Sequence, residues 1–434
     1  MRAVAAFYLA LVLMPLVVVL AGGVPPSQGT AAWALAMAAG FAGLAMMGAQ
    51  GALTARFRRI SVLGPIDRIY AWHKRLGVAA VLVVLAHPVV LVVDEPARLV
   101  YLDPFQMPAY IVAGQVSVAL LLVLAATSVG RNAFRLSYEA WRALHDVAAA
   151  AAIVLAVVHV DGVRYYLGPP WKHATWLAAG AAWVALIAAA RLVRPWRLRR
   201  RPYRVVSVTP DRGSAWVLAV EPVGHAGLRF RAGQFAWVMI GGSPFGAGDH
   251  PFSFSSAPDL PGGRLEFTIK ALGDFSRTVG TIRPGAPAYV DGPYGSFTLE
   301  GIAAPGFVFI AGGIGIAPFL SLLGGLADAG DTRPHLLVHA GQSADRLTGH
   351  AAVEALRTRL RLTVVEVLAE PDEGWTGERG LVTADVLARH TGGDRAARHY
   401  FVCGPPALIR AVSRHLSELG VPRRHVHAER FEML

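Results

Sequence analysis

The sequence predicts a multi-domain membrane protein: a six-helix α bundle in the membrane, then an antiparallel β-barrel, then a Rossmann-like α/β domain. Three observations predict it. The 434 residues are 54% hydrophobic and only 16% charged, too apolar for a water-soluble chain of that length. The apolarity is concentrated in residues 1–196, as six runs long enough to cross a hydrocarbon core of about 30 Å. From Val205 onward the texture changes to short alternating strands, and later to strand–helix alternation.

The six runs lie near 3–21, 31–50, 74–94, 109–129, 145–160 and 173–193. Residues 1–21 also carry signal-peptide features, since Arg2 precedes the apolar run and small residues follow it. The run exceeds the usual ~7–15-residue signal core, which favours a retained helix. The net charge of +12 is unevenly placed. Basic residues gather at 56–75, 131–142 and 191–201, while 22–30 has no charge and 94–108 sets Asp94, Glu95 and Asp103 against Arg98. That alternation follows the positive-inside rule and puts both termini in the cytoplasm. It also argues against a nucleic-acid partner, which needs the positive charge on one face. The lipid bilayer is the expected partner.

The stretches VVSVTP, SAWVLAVEP, FAWVMI, GRLEFTIKAL and PAYVDGPYG alternate and are separated by Gly/Pro turns, as in a small antiparallel barrel. Beyond Gly301, GFVFIAGG, APFLSLLGGLADA, HLLVHA, AAVEALRTRL and LTVVEVL alternate strand and helix, as in a parallel sheet. The expected domains are therefore 1–196, 197–301 and 302–434. The single cysteine, Cys403, excludes an intramolecular disulfide and a thiolate metal cluster. No calcium loop of EF-hand pattern occurs.

Two stretches share one frame. HKRLGVAAVLVVLAH, 73–87, and HDVAAAAAIVLAVVH, 145–159, each begin and end on histidine with thirteen residues between. Fourteen helical residues rise about 21 Å and complete nearly four turns, so both histidines of a frame share a helix face. The third and fifth helices run parallel, which pairs His73 with His145 at one level and His87 with His159 at the other. Imidazoles inside a membrane span face a bundle interior or a cofactor. Two facing imidazoles can clamp a haem iron, and without a CxxCH motif the haems are of b type. Zinc fits less well, because ~21 Å separates the levels and no carboxylate or cysteine completes either set.

The membrane half resembles the ferric reductase and NADPH oxidase transmembrane family, which carries two haems on helices three and five. The soluble half resembles that family's ferredoxin–NADP reductase-type dehydrogenase, so the resemblance covers nearly the whole chain. HPFSFSSAP, 250–258, resembles the flavin segment. The resemblance implies that His250, Pro251, Phe252 and Ser253 meet FAD, with amides and the Ser253 hydroxyl on the ring edge. In FTIKALGDFSRTV, 267–279, Lys270 stands where the family usually has arginine, and the flavin pyrophosphate is expected near Ser276. FVFIAGGIGIAPFLSLL, 307–323, puts Gly312, Gly313 and Gly315 after a strand and Pro318 at a helix start, a dinucleotide-binding pattern. FVCGPPALIRAV, 401–412, resembles the Cys-Gly-Pro element beside the nicotinamide, here Cys403, Gly404 and Pro405. In the closing HAERFEML, Phe431 is the candidate aromatic residue against the flavin. Cys403, Ser253 and Phe431 are thus the candidates for direct participation in hydride transfer.

The resemblance implies an NAD(P)H-dependent oxidoreductase of the bacterial inner (plasma) membrane. Its cofactors are FAD, two haems b, and NADPH or NADH. Electrons leave on the outer face to a small-molecule acceptor, dioxygen or ferric iron. The oxidase branch shares HPFS and DGPYG but uses a basic residue on helix two, and AAWALAMAAGFAGLAMMGAQ has none. Arg164 in the outer loop is the candidate substitute. A docked periplasmic protein is the alternative acceptor. Relatives that prefer NADPH commonly place arginine where VHAGQSADRL has Gln342, leaving Arg346 as the nearby cation for a 2′-phosphate.

Overall fold

A computed structural model describes residues 2–21, 30–56, 66–131, 133–246 and 248–430. The chain divides into two compact units, Met1–Arg197 with Phe245–Ala247, and Leu198–Pro244 with Gly248–Leu434.

The N-terminal unit is helical: α1 Arg2–Leu20, α2 Ala31–Thr54, α3 Ile66–Asp94, α4 Ala109–Val129, α5 Tyr138–Val163 and α6 Pro170–Ala188. A π-helical turn, Ala189–Val193, carries α6 into α7, Arg194–Arg199. Among the described residues, five helical spans are long and apolar enough to cross a membrane; they begin at Ala31, Ile69, Ala109, Tyr138 and Pro170. The first helix offers a shorter apolar stretch, Tyr8–Val19. Helices α3 and α5 start well before the apolar runs at 74 and 145. Polar first turns such as IDRIYAWHKR continue the backbone ladder although they add nothing to hydropathy. Helix α2 lies along α3, and α4 along α5. A Cβ on Gly43 of α2 would fall 3.1 Å from the Val84 amide nitrogen of α3, so the two backbones nearly touch. Pro88 sits inside α3, beside His87, and withholds the N–H that would have reached the Val84 carbonyl.

The C-terminal unit holds two six-stranded sheets. The first comprises β1 Tyr203–Asp211, β2 Ala215–Pro222, β3 Phe235–Ile240, β4 His250–Ser253, β5 Leu265–Lys270 and β6 Pro287–Tyr294. Its order is β4-β3-β6-β1-β2-β5. The bridge between Phe254 and Phe267 joins the two end strands and closes the barrel. Its core includes Val205, Leu218, Val238, Phe254 and Phe267, all nearly inaccessible. A five-residue helix, α8 Asp274–Thr278, follows β5.

The second sheet comprises β7 Phe307–Gly312, β8 His335–Gly341, β9 Leu362–Leu368, β10 Glu378–Arg379, β11 His399–Cys403 and β12 Val426–Glu429. Every strand pair is parallel, in the order β10-β9-β8-β7-β11-β12. Helices α9 Ala317–Asp328 and α10 His350–Arg357 contribute to one core, and α11 Ala384–Thr391 and α12 Pro406–Glu418 to another. The strands are therefore buried on both faces and read as nearly continuous apolar runs.

Among the buried titratable groups of this sheet is a histidine. His339 of β8 is 0% exposed and neither ring nitrogen has a hydrogen-bond partner among the described residues. Burial, with His350 nearby, lowers its pKa from the usual 6.5 to about 4. The folded chain refuses a proton that the unfolded chain accepts between those values. Stability is therefore full above pH 6.5 and is lost as pH falls through about 4, by an amount on the order of 3 kcal/mol. His339→Phe should flatten the fall in thermal stability of the C-terminal unit between pH 7 and 5, monitored in the full-length chain. An acid slope equal to that of the parent would refute the assignment.

Candidate functional site

The two histidine frames lie on α3 and α5, and the helices bring them into register. His73 faces His145 with ring centres 6.2 Å apart, and His87 faces His159 at 6.4 Å. An imidazole–metal–imidazole sandwich with metal–nitrogen bonds of roughly 2 Å puts the ring centres about 6 Å apart. Both pairs therefore leave room for one metal between the rings, and too little for an intervening side chain.

Hydrogen bonds fix the rings. His87 Nδ1 lies 2.8 Å from the Ala36 carbonyl of α2, and His159 Nδ1 lies 3.0 Å from the Tyr110 carbonyl of α4. A carbonyl only accepts, so Nδ1 carries the proton and Nε2 is left with its lone pair, as a metal ligand requires. The recesses that admit the rings are made by glycine. A Cβ at Gly40 would sit 3.1 Å from His87 Nδ1, and one at Gly114 would sit 2.7 Å from His159 Nδ1. At the other level the partners are side chains. Ser128 Oγ is 3.2 Å from His145 Nδ1. The Gln50 amide lies 2.8 Å from His73 Nδ1, and in the orientation that satisfies its other neighbours its N–H donates to that nitrogen, which leaves the proton of the metal-free ring on Nε2.

The His87/His159 pair lines a cavity of about 410 Å³ whose walls include Met37, Phe41, Leu44 and Val160. Two cations also line it. Arg164 binds Asp161 at 3.2 Å, and Asp161 also takes His173 Nε2 at 2.5 Å. Arg98 is held by Asp94 at 2.9 Å and lies over the Trp33 ring at 4.7 Å. Nothing in the sequence singles out Arg98, which reads as the lone base of an acidic loop.

In the barrel, HPFS forms β4 and pairs with β3, with Ser253 opposite Phe235. The His250 ring stacks on Phe275 at 4.1 Å and 14°, and Phe252 lies 6.1 Å from the same ring. Pro251 pairs with Trp237 and sets no donor into the ladder. The Ser253 hydroxyl is buried and has no hydrogen-bond partner among the described residues, which is the state expected of a group that meets a flavin edge. Lys270 ends β5 opposite Ala215. Ser276 closes the turn into α8: its hydroxyl accepts from the Leu272 and Gly273 amides at 2.9 and 2.8 Å.

In the parallel sheet, Gly312 ends β7 and Cys403 ends β11 on the neighbouring strand, so both reach the same edge. Ligands of such sheets bind outside the carboxyl ends of the strands, where the connections diverge to opposite sides. The turn Gly313–Ile316 follows, with Gly313 at φ +55°, and Pro318 lies in the first turn of α9. Gly315 abuts Cys403 so closely that a Cβ would meet its carbonyl oxygen at 2.2 Å. Gly404, at φ +155°, and Pro405 lead into α12. Burial and the Glu429 carboxylate push the Cys403 thiol well above its ordinary pKa, which keeps it protonated and non-nucleophilic. Glu429 stands opposite Cys403 in the β11–β12 register, and no sequence motif had marked it. Gln342 and Arg346 follow β8 at the same edge, and the Arg346 guanidinium donates to the Gln342 side-chain oxygen, Oε1. Phe431 lies outside the described residues.

Two stretches of the chain match known protein families. Residues 39–156 match the family described as ferric reductase like transmembrane component, and residues 309–414 match the oxidoreductase NAD-binding domain. The chain is 33% identical over 240 residues to ferredoxin–NADP reductase B of Sorangium cellulosum (strain So ce56), covering 53% of this chain and 96% of that protein. It is 33% identical over 245 residues to the reductase component of propane 2-monooxygenase of Rhodococcus jostii (strain RHA1), covering 54% of this chain and 63% of that protein. This chain thus spans less than two thirds of the second relative's length. Among solved structures, the FAD/NAD-binding domain of nitric oxide dioxygenase from Vibrio cholerae O1 biovar El Tor aligns with a TM-score of 0.48 at 20% identity, covering 53% of this chain and 98% of that one.

Proposed function

Because the chain belongs to the ferredoxin–NADP reductase family through its C-terminal half, and its residues 39–156 match the ferric reductase like transmembrane component, we propose that it moves electrons across a bacterial inner membrane. It is a membrane-associated oxidoreductase that draws electrons from NAD(P)H through a flavin. In the finer reading, six spans put both termini in the cytoplasm, and the paired histidines would hold two b-type haems, which would supply one-electron chemistry toward an acceptor outside. The observation that carries this reading is the matched pair of imidazole gaps, 6.2 and 6.4 Å, on two helices.

When bound, the nicotinamide and flavin supply hydride chemistry and the haems one-electron chemistry; the protein supplies position and polarity. His73 and His145 would hold the inner haem, and His87 and His159 the outer one. The Ala36 and Tyr110 carbonyls keep the outer imidazoles in the ligating tautomer. The Ser253 hydroxyl and Lys270 orient FAD, and Phe252 covers it. Gly312, Gly313 and Gly315 admit the pyrophosphate, while Cys403 and Gly404 shape the nicotinamide pocket. Glu429, beside Cys403, sets the charge there. With no basic residue on α2, a general reductase acting on ferric iron or a similar oxidant is favoured over an oxidase. Arg98 and Arg164 would then attract or exclude acceptors by charge.

The purified chain should contain about two haems b and one FAD, by pyridine haemochrome and flavin extraction. Anaerobic NAD(P)H should reduce both, and separate additions of chelated Fe³⁺ and dioxygen should identify the oxidant. One haem or none per chain would sink the two-station reading.

A further inference from the structure

At the carboxyl edge of β8 and β9, three side chains form a row that the proposed function does not use. The Arg346 guanidinium donates to Gln342 Oε1, and Gln342 Nε2 donates to Glu370 Oε2 at 3.0 Å. The backbones are also tied, the Glu370 amide donating to the Gln342 carbonyl at 2.7 Å. Both ends of the Gln342 amide are therefore committed, one to a cation and the other to a carboxylate.

We propose that Glu370 is the residue that sets nucleotide preference, by disfavouring a 2′-phosphate on the adenosine ribose. This rests on the nucleotide site proposed above. Gly312 of β7, Gly341 of β8 and Leu368 of β9 end neighbouring parallel strands, so Gln342 and Glu370 flank the edge on which the pyrophosphate lies. A neutral Gln342 merely fails to attract a 2′-phosphate. Glu370 does more: a group with about two negative charges would meet a carboxylate one amide away, well within the ~8–10 Å range of screened repulsion. A 2′-hydroxyl has no such cost and can donate to a carboxylate oxygen.

The backbone of the loop that carries Arg346 is fixed. The barrel hairpin between β1 and β2 clamps it: the Gly213 amide donates to the Asp345 carbonyl at 3.0 Å, and the Gly349 amide to Asp211 Oδ2 at 2.8 Å. Thr348 Oγ1 donates to the Arg212 carbonyl at 3.2 Å, and Leu347 is 1% exposed. The Arg346 guanidinium binds Gln342 Oε1 and lies beside the Asp345 carboxylate, whose pKa its charge helps to lower.

The test is Glu370→Gln in the full-length protein, with a soluble dye as oxidant so that the membrane half plays no part. NADPH kcat/KM should rise about tenfold, a gain of roughly 1.4 kcal/mol, while NADH kcat/KM stays within about threefold. The inhibition constant of 2′,5′-ADP should fall in parallel and that of AMP should not, a readout independent of turnover. An NADPH/NADH ratio unchanged within about twofold, with unchanged 2′,5′-ADP inhibition, would overturn the assignment to Glu370 alone. Failure of the parent protein to oxidise either nucleotide would overturn the nucleotide site itself, and the Glu370 assignment with it.

Discussion

His87→Leu is expected to lower reduction of an outer-face acceptor by orders of magnitude while NAD(P)H still reduces flavin and soluble dyes at the parent rate. Leucine removes one of the two imidazoles across the 6.4 Å gap and leaves an apolar side chain that the cavity tolerates. His159 alone cannot close the sandwich, so haem content should fall from about two to about one per chain. The first level and the dehydrogenase are unchanged by the substitution. Electrons reaching the His73/His145 level would then face about 21 Å of helix rise without a station. Proteoliposomes with a membrane-impermeant acceptor outside separate the two activities. Normal outer-face reduction with normal haem content would show that these histidines are not the ligands.

Gly315→Ala should have the opposite pattern. Its Cβ would fall 2.2 Å from the Cys403 carbonyl oxygen, 2.5 Å from its carbon and 2.8 Å from the Gly404 nitrogen. All three are backbone atoms at the end of a central strand, so no rotamer change relieves the contact. The turn after β7 and the loop after β11 must separate, and misplacement of about 1 Å can cost on the order of a hundredfold in rate. Stopped-flow bleaching of the flavin by NAD(P)H should slow by about that factor, with haem and flavin content unchanged. Parent-like bleaching would mean that nicotinamide does not lie at this contact.

What the sequence made legible, and what it did not, follows from the range of the interactions. The histidine frames were legible because a spacing of fourteen on a helix is a local property, and the two helices then had only to run side by side. The glycine turn after β7 was legible for the same reason, as a strand, a turn and a helix start in one stretch. Helix ends were not, because hydropathy sees only the apolar part of α3 and α5 while the hydrogen-bonded ladder runs on through charged residues. Arg98 and Glu429 were missed because only folding gives them meaning. A loop and a bundle bring Arg98 to the cavity of His87, and the β11–β12 register brings Glu429 opposite Cys403. Glu370 was missed likewise, since it acts through Gln342 twenty-eight residues away. Ser276 was marked by the sequence, but its hydroxyl is occupied in closing the turn into α8, which spacing cannot tell.

The glycine recesses beside His87 and His159 bear on how such a chain can change over generations. On α2, Gly40 comes four residues after the Ala36 carbonyl that holds His87; on α4, Gly114 comes four residues after the Tyr110 carbonyl that holds His159. One helical turn thus supplies both the acceptor and the space. A mutation to alanine at Gly114 would push the His159 ring out of its recess toward His87 and change the gap between the two imidazoles. Descendants that keep one member of such a pair should therefore keep the other, and losses should arrive together. The expected trace in a set of related sequences is joint inheritance of Gly40 with His87 and of Gly114 with His159, even where the surrounding apolar residues drift freely.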